Sequence, residues 1–261
     1  MLTAITRAVS PSISQCELTW LKREPIDAER ATQQHHLYEK ALGELGAKVI
    51  SLPALPDHPD AVFVEDPAIV LDEVAVITRM GVESRRGERA SLAAALAEFR
   101  PVIWMRDPAR LEGGDVMRVG RQLFVGLSAR TNEAGITQLA EILTPYDYAV
   151  HEVNLRDCLH LKSACCFVGD GCVLVNRAWL DWSPLQEYQP IDVAEGEPGA
   201  ANALRVGNTV VMPDSYPATA EVLRRAGFTV RVLDLSELLK AESGVTCSSL
   251  LFESVAAMPC S

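Results

Sequence analysis

The sequence predicts an α/β protein in which five strand–strand–helix–strand units close into one ring. Three observations carry that expectation. Short apolar runs pair across tight turns. Most of these hairpins are followed by a stretch with helical periodicity and then a further strand. The hairpins begin near residues 63, 114, 160, 202 and 247, a spacing of roughly 42 to 51 residues, the range of repeat architectures. The repeat is one of pattern, not of residues. Two open α/β domains meeting near residue 155 are the alternative. The ring is preferred because every hairpin start then points at a common centre.

Residues 1–10 read as a strand and 26–45 as a helix, with Leu37, Ala41, Leu42 and Leu45 at helical spacing. Residues 47–52 read as the next strand. After a Pro/Asp-rich loop at 53–60, strands at 63–70 and 74–78 form a hairpin. An alanine-rich helix at 87–99 and a strand at 101–105 complete that unit. The second unit pairs 115–119 with 122–126 across Gly120-Arg121, then places a helix at 132–143 and a strand at 147–153. The third pairs 160–168 with 172–176 across Gly169-Asp170-Gly171, followed by a short helical piece at 183–187 and a strand at 189–193. The fourth pairs 202–206 with 209–213 across Gly207-Asn208, with a helix at 217–226 and a strand at 228–234. The fifth begins at Cys247 and must be completed by the N-terminal strand, helix and strand. A single domain over 1–253 is expected, with a surface tail over 254–261.

Composition narrows the function. The chain has 261 residues, 48% of them hydrophobic, enough for a large core. A net charge of -11 disfavours nucleic-acid or membrane-surface binding, which need a basic patch, and suits a cationic substrate. No stretch approaches the roughly 18 apolar residues of a spanning helix, and the N-terminus lacks a signal-peptide pattern. A cytoplasmic protein is expected. The seven cysteines form no regular framework and the five histidines are scattered, so reduced thiols and no zinc site are expected.

The hairpin entrances hold the chemistry. They carry Glu65-Asp66, Glu112-Gly113-Gly114-Asp115, His160 in Leu159-His160-Leu161-Lys162, Asn202, and Cys247 in Gly244-Val245-Thr246-Cys247. A lone cysteine is more often a small core residue, and a lone histidine a satisfied one. A nucleophile, a base and a carboxylate to orient that base recur here at equivalent places, which outweighs those readings. Two adjacent acids flanked by Phe63, Val64, Ile69 and Val70 are costly unless they bind something cationic. Arg85 and Arg130 sit at matching places before helices, where the positive helix end disfavours cations. Arginine there suits a bidentate clamp on a carboxylate.

Together, Phe63-Val64-Glu65-Asp66, Glu83-Ser84-Arg85-Arg86-Gly87-Glu88, Glu112-Gly113-Gly114-Asp115, Ser128-Ala129-Arg130-Thr131-Asn132, Leu159-His160-Leu161-Lys162 and the Cys247 segment resemble dimethylarginine dimethylaminohydrolase. That family belongs to the guanidine-modifying superfamily with arginine deiminases and amidinotransferases. The resemblance runs from about residue 3 to residue 253. It implies a five-bladed α/β propeller of ββαβ units with pseudo-fivefold symmetry, and hydrolysis of methylated arginine to citrulline and a methylamine. It implies Cys247 as nucleophile, His160 as general acid/base and Glu112 as its orienting carboxylate. It further implies Asp66, with Glu65, as the guanidinium-binding pair, and Arg85 and Arg130 as the carboxylate clamp. Asp60, the backbone of Leu18 and the backbone near Ala241 are implied as further substrate contacts. No metal or organic cofactor is implied. The implied partner is a small-molecule substrate, and the surface allows a homodimer. Arginine deiminase and amidinotransferase chemistry remain alternatives within the class, and a non-catalytic amino-acid-binding propeller outside it. Ser248-Ser249 has no evident role, and Cys165-Cys166 read as strand core.

Overall fold

The computed structural model describes residues 1–254. The N-terminal strand β1 (Leu2–Arg7), helix α1 (Ala28–Glu44) and strand β2 (Lys48–Leu52) come first. The first complete unit follows, with β3 (Ala68–Val70), β4 (Ala75–Ile77), α2 (Arg89–Ala97) and β5 (Val102–Trp104). The second has β6 (Val116–Val119), β7 (Gln122–Leu127), α3 (Glu133–Leu143) and β8 (Ala149–Asn154). In the third, a short helix α4 (Leu161–Ala164) precedes β9 (Cys165–Gly169), β10 (Cys172–Val175) and β11 (Gln189–Asp192). The fourth has β12 (Leu204–Val206), β13 (Thr209–Pro213), α5 (Pro217–Arg225) and β14 (Thr229–Leu233). A short helix α6 (Ser236–Leu239) leads towards β15 (Leu250–Glu253).

Each unit builds one three-stranded sheet, an antiparallel pair extended by a parallel third strand. The fifth sheet is made from both ends of the chain. β15 pairs antiparallel with β1, and β1 parallel with β2, with Leu2 opposite Glu253 and Ile5 opposite Leu250. The Met1 and Ser254 backbones seal that closure by hydrogen bonds in both directions.

The core is divided in the same way. Five apolar clusters each span two neighbouring units. Leu71 and Val76 meet Leu123 and Val125; Met117 and Phe124 meet Cys165 and Val173; Leu174 meets Val210 and Met212. Val206 and Val211 meet Tyr38 and Leu42, and Ile5 and Phe252 meet Ile77 and Leu92. Burial therefore runs around the ring without a gap, which makes the assembly a five-bladed α/β propeller. No described helix is long and apolar enough to cross a membrane.

Three local expectations change. Leu37 is exposed; the buried face of α1 instead uses Gln34, His35, Tyr38, Ala41 and Leu42. Residues 63–67 form turns rather than the start of β3. Residues 161–164 coil into α4 instead of extending β9, so His160 becomes its N-cap residue. In the last two cases the chain leaves the extended form where it enters the ring axis and its polar groups must turn towards partners in other blades. Ser249, without a role in the sequence reading, shares a hydrogen bond with the buried Tyr38 hydroxyl at 2.6 Å. Cys165 and Cys166 are buried in the core, and the cysteines among the described residues are free thiols. Ser254, at the start of the expected tail, is buried against Thr3; residues 255–261 lie outside the described part.

Candidate active site

The hairpin entrances of all five blades meet through direct hydrogen bonds. Glycine makes the approach feasible. A Cβ on Gly113 would stand 2.0 Å from the Glu65 carbonyl oxygen, and one on Gly114 2.7 Å from His160 Nδ1. Side chains at either position would push the first three blades apart.

Glu112 enters the turn at Gly113–Asp115 just before β6 and is fully buried. Its Oε2 lies 2.9 Å from His160 Nε2, while Oε1 accepts the Gly81 N–H at 3.0 Å and has Arg130 Nη1 at 3.5 Å. Nδ1 of His160 has no hydrogen-bond partner among the described residues and faces Asp66 Oδ1 at 4.0 Å. Burial alone would lower the imidazole pKa. The carboxylates of Asp66, Asp115 and Glu112 outweigh it and push the value up to about 9. His160 is therefore an imidazolium at neutral pH.

Asp66 is held by two donors, Arg85 Nη1 at 2.8 Å and the Gly114 N–H at 3.1 Å. Burial opposes its ionisation, but His160 and Arg85 keep its pKa below the usual carboxylate value. Arg85 is itself clasped on its other edge by Glu88, with Nε and Nη2 each 3.0 Å from a carboxylate oxygen. Burial raises the Glu88 carboxyl to about 7 in spite of that partner.

Cys247 lies in the turn three residues before β15. Its Sγ accepts the Gly244 N–H at 3.2 Å, and its carbonyl accepts the Glu65 N–H at 3.1 Å. Burial, then the Glu65 and Asp66 carboxylates, raise the thiol pKa far above its ordinary value. The opposing pull of Lys162 and the Gly244 N–H does not offset this, and the sulfur rests as a thiol.

Asp60, Asp66, Arg85, Arg130, His160, Ala241 and Cys247 line one narrow cleft. Glu112 stands behind His160. Glu65 lines a separate cavity instead, its carboxylate bound by Lys162 Nζ at 2.5 Å and Thr246 Oγ1 at 2.7 Å. Leu18 is half-buried against the core of the last blade, on the loop beside the cleft. That loop is fastened at several points. Asp60 accepts the Glu17 N–H at 3.1 Å. Glu242, in the left-handed backbone region, accepts the N–H groups of Thr19, at 2.7 Å, and of Trp20 and Leu21. Arg130 Nη2 adds a bond to Thr19 Oγ1 at 2.8 Å.

Three groups here had no assigned role in the sequence. Asp115 accepts from the Ser128 and Thr131 hydroxyls at 2.7 and 2.6 Å and from the Leu161 N–H at 2.9 Å, which anchors the residue after His160. Its place after Gly113-Gly114 was visible, but nothing local separates it from Glu112. Glu88 belongs to the Arg85 motif, although its burial is a tertiary fact. Glu242 gives no sequence signal, since its partners are backbone amides more than 200 positions away.

Asp66, Glu112 and His160 also bring donor atoms within 4.8 Å of one another, the one such His/Cys/Asp/Glu group among the described residues. Arg85, Arg130 and the imidazolium already balance those two carboxylates, so the charge pattern does not call for a metal cation.

The model of the arginine deiminase family matches residues 53–192. The chain is 36% identical to N(G),N(G)-dimethylarginine dimethylaminohydrolase of Pseudomonas aeruginosa, over 87% of this chain and 90% of that one. The enzyme of the same name from Streptomyces coelicolor is 37% identical, over 95% of each chain. A solved structure of the Pseudomonas aeruginosa enzyme, a cysteine-to-serine variant complexed with citrulline, superposes with a TM-score of 0.92. It is 34% identical and covers 97% of this chain and 100% of that one.

Proposed function

We propose that this chain, which belongs to the dimethylarginine dimethylaminohydrolase family, hydrolyses N-methylated arginine to citrulline and a methylamine through a covalent intermediate on Cys247. The observation that carries this reading is the convergence of Cys247, His160 and Asp66 on one cleft, with Glu112 2.9 Å behind the imidazole. Residues 1–253 act in it as one catalytic domain, because β1 and β15 share a sheet.

A guanidinium is a poor electrophile because its charge is delocalised. Asp66 holds that charge and fixes the plane, and Arg130 binds the amino-acid carboxylate at the other end, with Arg85 beside Asp66. Asp60, the Leu18 backbone and the Ala241 backbone complete the contacts, and Glu65 supports the turn that bears Cys247. The substrate's positive charge offsets Glu65 and Asp66 and favours the thiolate, the attacking species. The sulfur adds to the central carbon. His160 gives its proton to the dimethylamino nitrogen, the C–N bond breaks and dimethylamine leaves. A thiouronium group remains on Cys247. The neutral imidazole then takes a proton from water, and the hydroxide adds to the same carbon. The C–S bond breaks, and the carbon-bound hydroxyl gives its proton to the departing sulfur as the urea carbonyl forms, releasing citrulline and the resting thiol. One residue serves as acid and then as base. In this reading Nδ1 makes both transfers, since Nε2 is engaged by Glu112.

The test is a parallel assay of asymmetric dimethylarginine, monomethylarginine and arginine, scored for citrulline. Highest kcat/KM on a methylated substrate supports the reading. Highest kcat/KM on arginine would make the chain a deiminase, and no citrulline from any of the three would end the hydrolase reading. Methyl groups in one pocket discriminate by only about 1–3 kcal/mol each, so the ratio must be measured.

A further inference from the structure

Behind Cys247 lies a polar circuit of which the chemistry above uses only Glu65. It takes one residue from each blade. Lys162 Nζ donates to the Gly113 carbonyl at 3.2 Å and to Glu65 Oε1 at 2.5 Å. Thr246 Oγ1 donates to Glu65 Oε2 at 2.7 Å. Asn202 Nδ2 donates to Thr246 Oγ1 and to the Lys162 carbonyl, each at 3.1 Å, and Asn202 Oδ1 accepts the Thr246 N–H at 3.0 Å. The circuit has a fixed direction. A carboxamide that accepts an N–H on one side and faces a carbonyl on the other has one satisfactory orientation. Thr246 Oγ1, receiving from Nδ2, must spend its own proton on Glu65.

Asn202 thus grips Thr246 at both backbone and side chain, immediately before Cys247. It also walls the turn from below, since a Cβ on Gly244 would stand 2.2 Å from Asn202 Cγ. Gly244 is the residue whose N–H reaches Cys247 Sγ, and its carbonyl accepts the Cys247 N–H at 3.3 Å. Asn202 is 7% exposed, so a surface role does not explain it.

On the hydrolase reading above, we infer that Asn202 is a positioning residue for the nucleophile: its carboxamide fixes the Gly244–Cys247 turn and so aims Cys247 Sγ into the cleft. The same contact keeps the Gly244 N–H on the sulfur, where it favours the thiolate. A displaced turn loses both aim and hydrogen bond.

The test compares wild type, N202A, G244A and T246S. G244A presses on the same contact from the opposite side but removes no polar group, so it serves if N202A does not fold. T246S keeps every bond of the circuit and is the conservative control. Iodoacetamide alkylation of the ligand-free proteins is followed by peptide mass spectrometry, which separates Cys247 from the other thiols, across a range of pH. N202A and G244A should slow Cys247 alkylation near neutral pH by roughly tenfold, the effect of about one pH unit in the thiol midpoint. T246S should follow the wild-type profile. In turnover, kcat should fall while KM stays within about twofold, the mark of lost transition-state geometry. A wild-type alkylation profile in both N202A and G244A, whatever the change in Tm, would reduce Asn202 to a structural residue and overturn the inference. Because alkylation needs no substrate, failure of the hydrolase reading would appear only in the turnover arm.

Discussion

Glu112 Oε2 sits 2.9 Å from His160 Nε2, and this contact leaves Nδ1 as the imidazole nitrogen without a hydrogen-bond partner among the described residues. In the proposed mechanism, proton transfer therefore falls to Nδ1, beside Asp66. The contact also helps to keep the ring charged at neutral pH, which the departing amine requires.

The first expected outcome concerns pH. His160 remains an imidazolium until about pH 9, so kcat should fall as pH rises through that value. Glu112→Gln keeps a hydrogen-bonding oxygen but removes a negative charge, and should move that limb to lower pH by about one unit. The folded-state pKa lies above the ordinary 6.5. The stability gained from this shift is therefore fully present below pH 6.5 and lost as pH rises through about 9. Tm measured across that window should decline in the wild type, and decline less in His160→Gln.

Removing the nucleophile gives a second outcome. Cys247→Ser should lower citrulline formation on the order of 10⁴-fold or more, while a methylated arginine still binds in calorimetry. A substrate-derived mass on Cys247 after rapid quenching of the wild type is the matching positive observation. Turnover at the wild-type rate in the serine variant would remove Cys247 from the mechanism.

The two arginines should separate in a third experiment. Arg85 is buried between Asp66 and Glu88. Its replacement by Ala leaves the buried Glu88 without its cation and Asp66 with only the Gly114 N–H, a loss of about 3–5 kcal/mol in stability. Arg130 has a looser contact with Glu112 at 3.5 Å. Arg130→Ala should fold, with KM raised on the order of 10- to 100-fold by the loss of a charged hydrogen bond to the substrate carboxylate. Thermal unfolding and steady-state kinetics on both variants check the contrast, and equal effects of the two on Tm would contradict it.

The fourth concerns the loop beside the cleft. Glu242 is the shared acceptor for the N–H groups of Thr19, Trp20 and Leu21. In Glu242→Ala those donors turn to water and the loop loses its fastening. Limited proteolysis within residues 16–23 should accelerate and KM should rise, with little change in Tm. Unchanged cleavage would mean that Asp60 and Arg130 hold the loop unaided.

The sequence by itself determined the ring. Five hairpin starts at similar spacing, and strands without partners at both ends, required closure through β1 and β15, because the fifth unit had no other way to bury its apolar face. It also marked Glu65-Asp66, Glu112, His160 and Cys247, since four of the five hairpin entrances carried a group capable of chemistry. Tertiary structure alone decided how those groups divide their work. Neighbouring carboxylates look alike in sequence, yet Asp66 lines the cleft while Glu65 turns to Lys162 and Thr246. Arg85 and Arg130 occupy matching positions in the repeat, yet only Arg85 is clasped by Glu88. Glu242 acquires its role from amides near the opposite end of the chain. Asn202 marked an entrance without any chemistry of its own until the fold placed Thr246 against its carboxamide. The physical reason is common to all four. Spacing along the chain fixes which residues reach the axis, whereas the charge and orientation of each depend on burial and on partners that only the fold assembles.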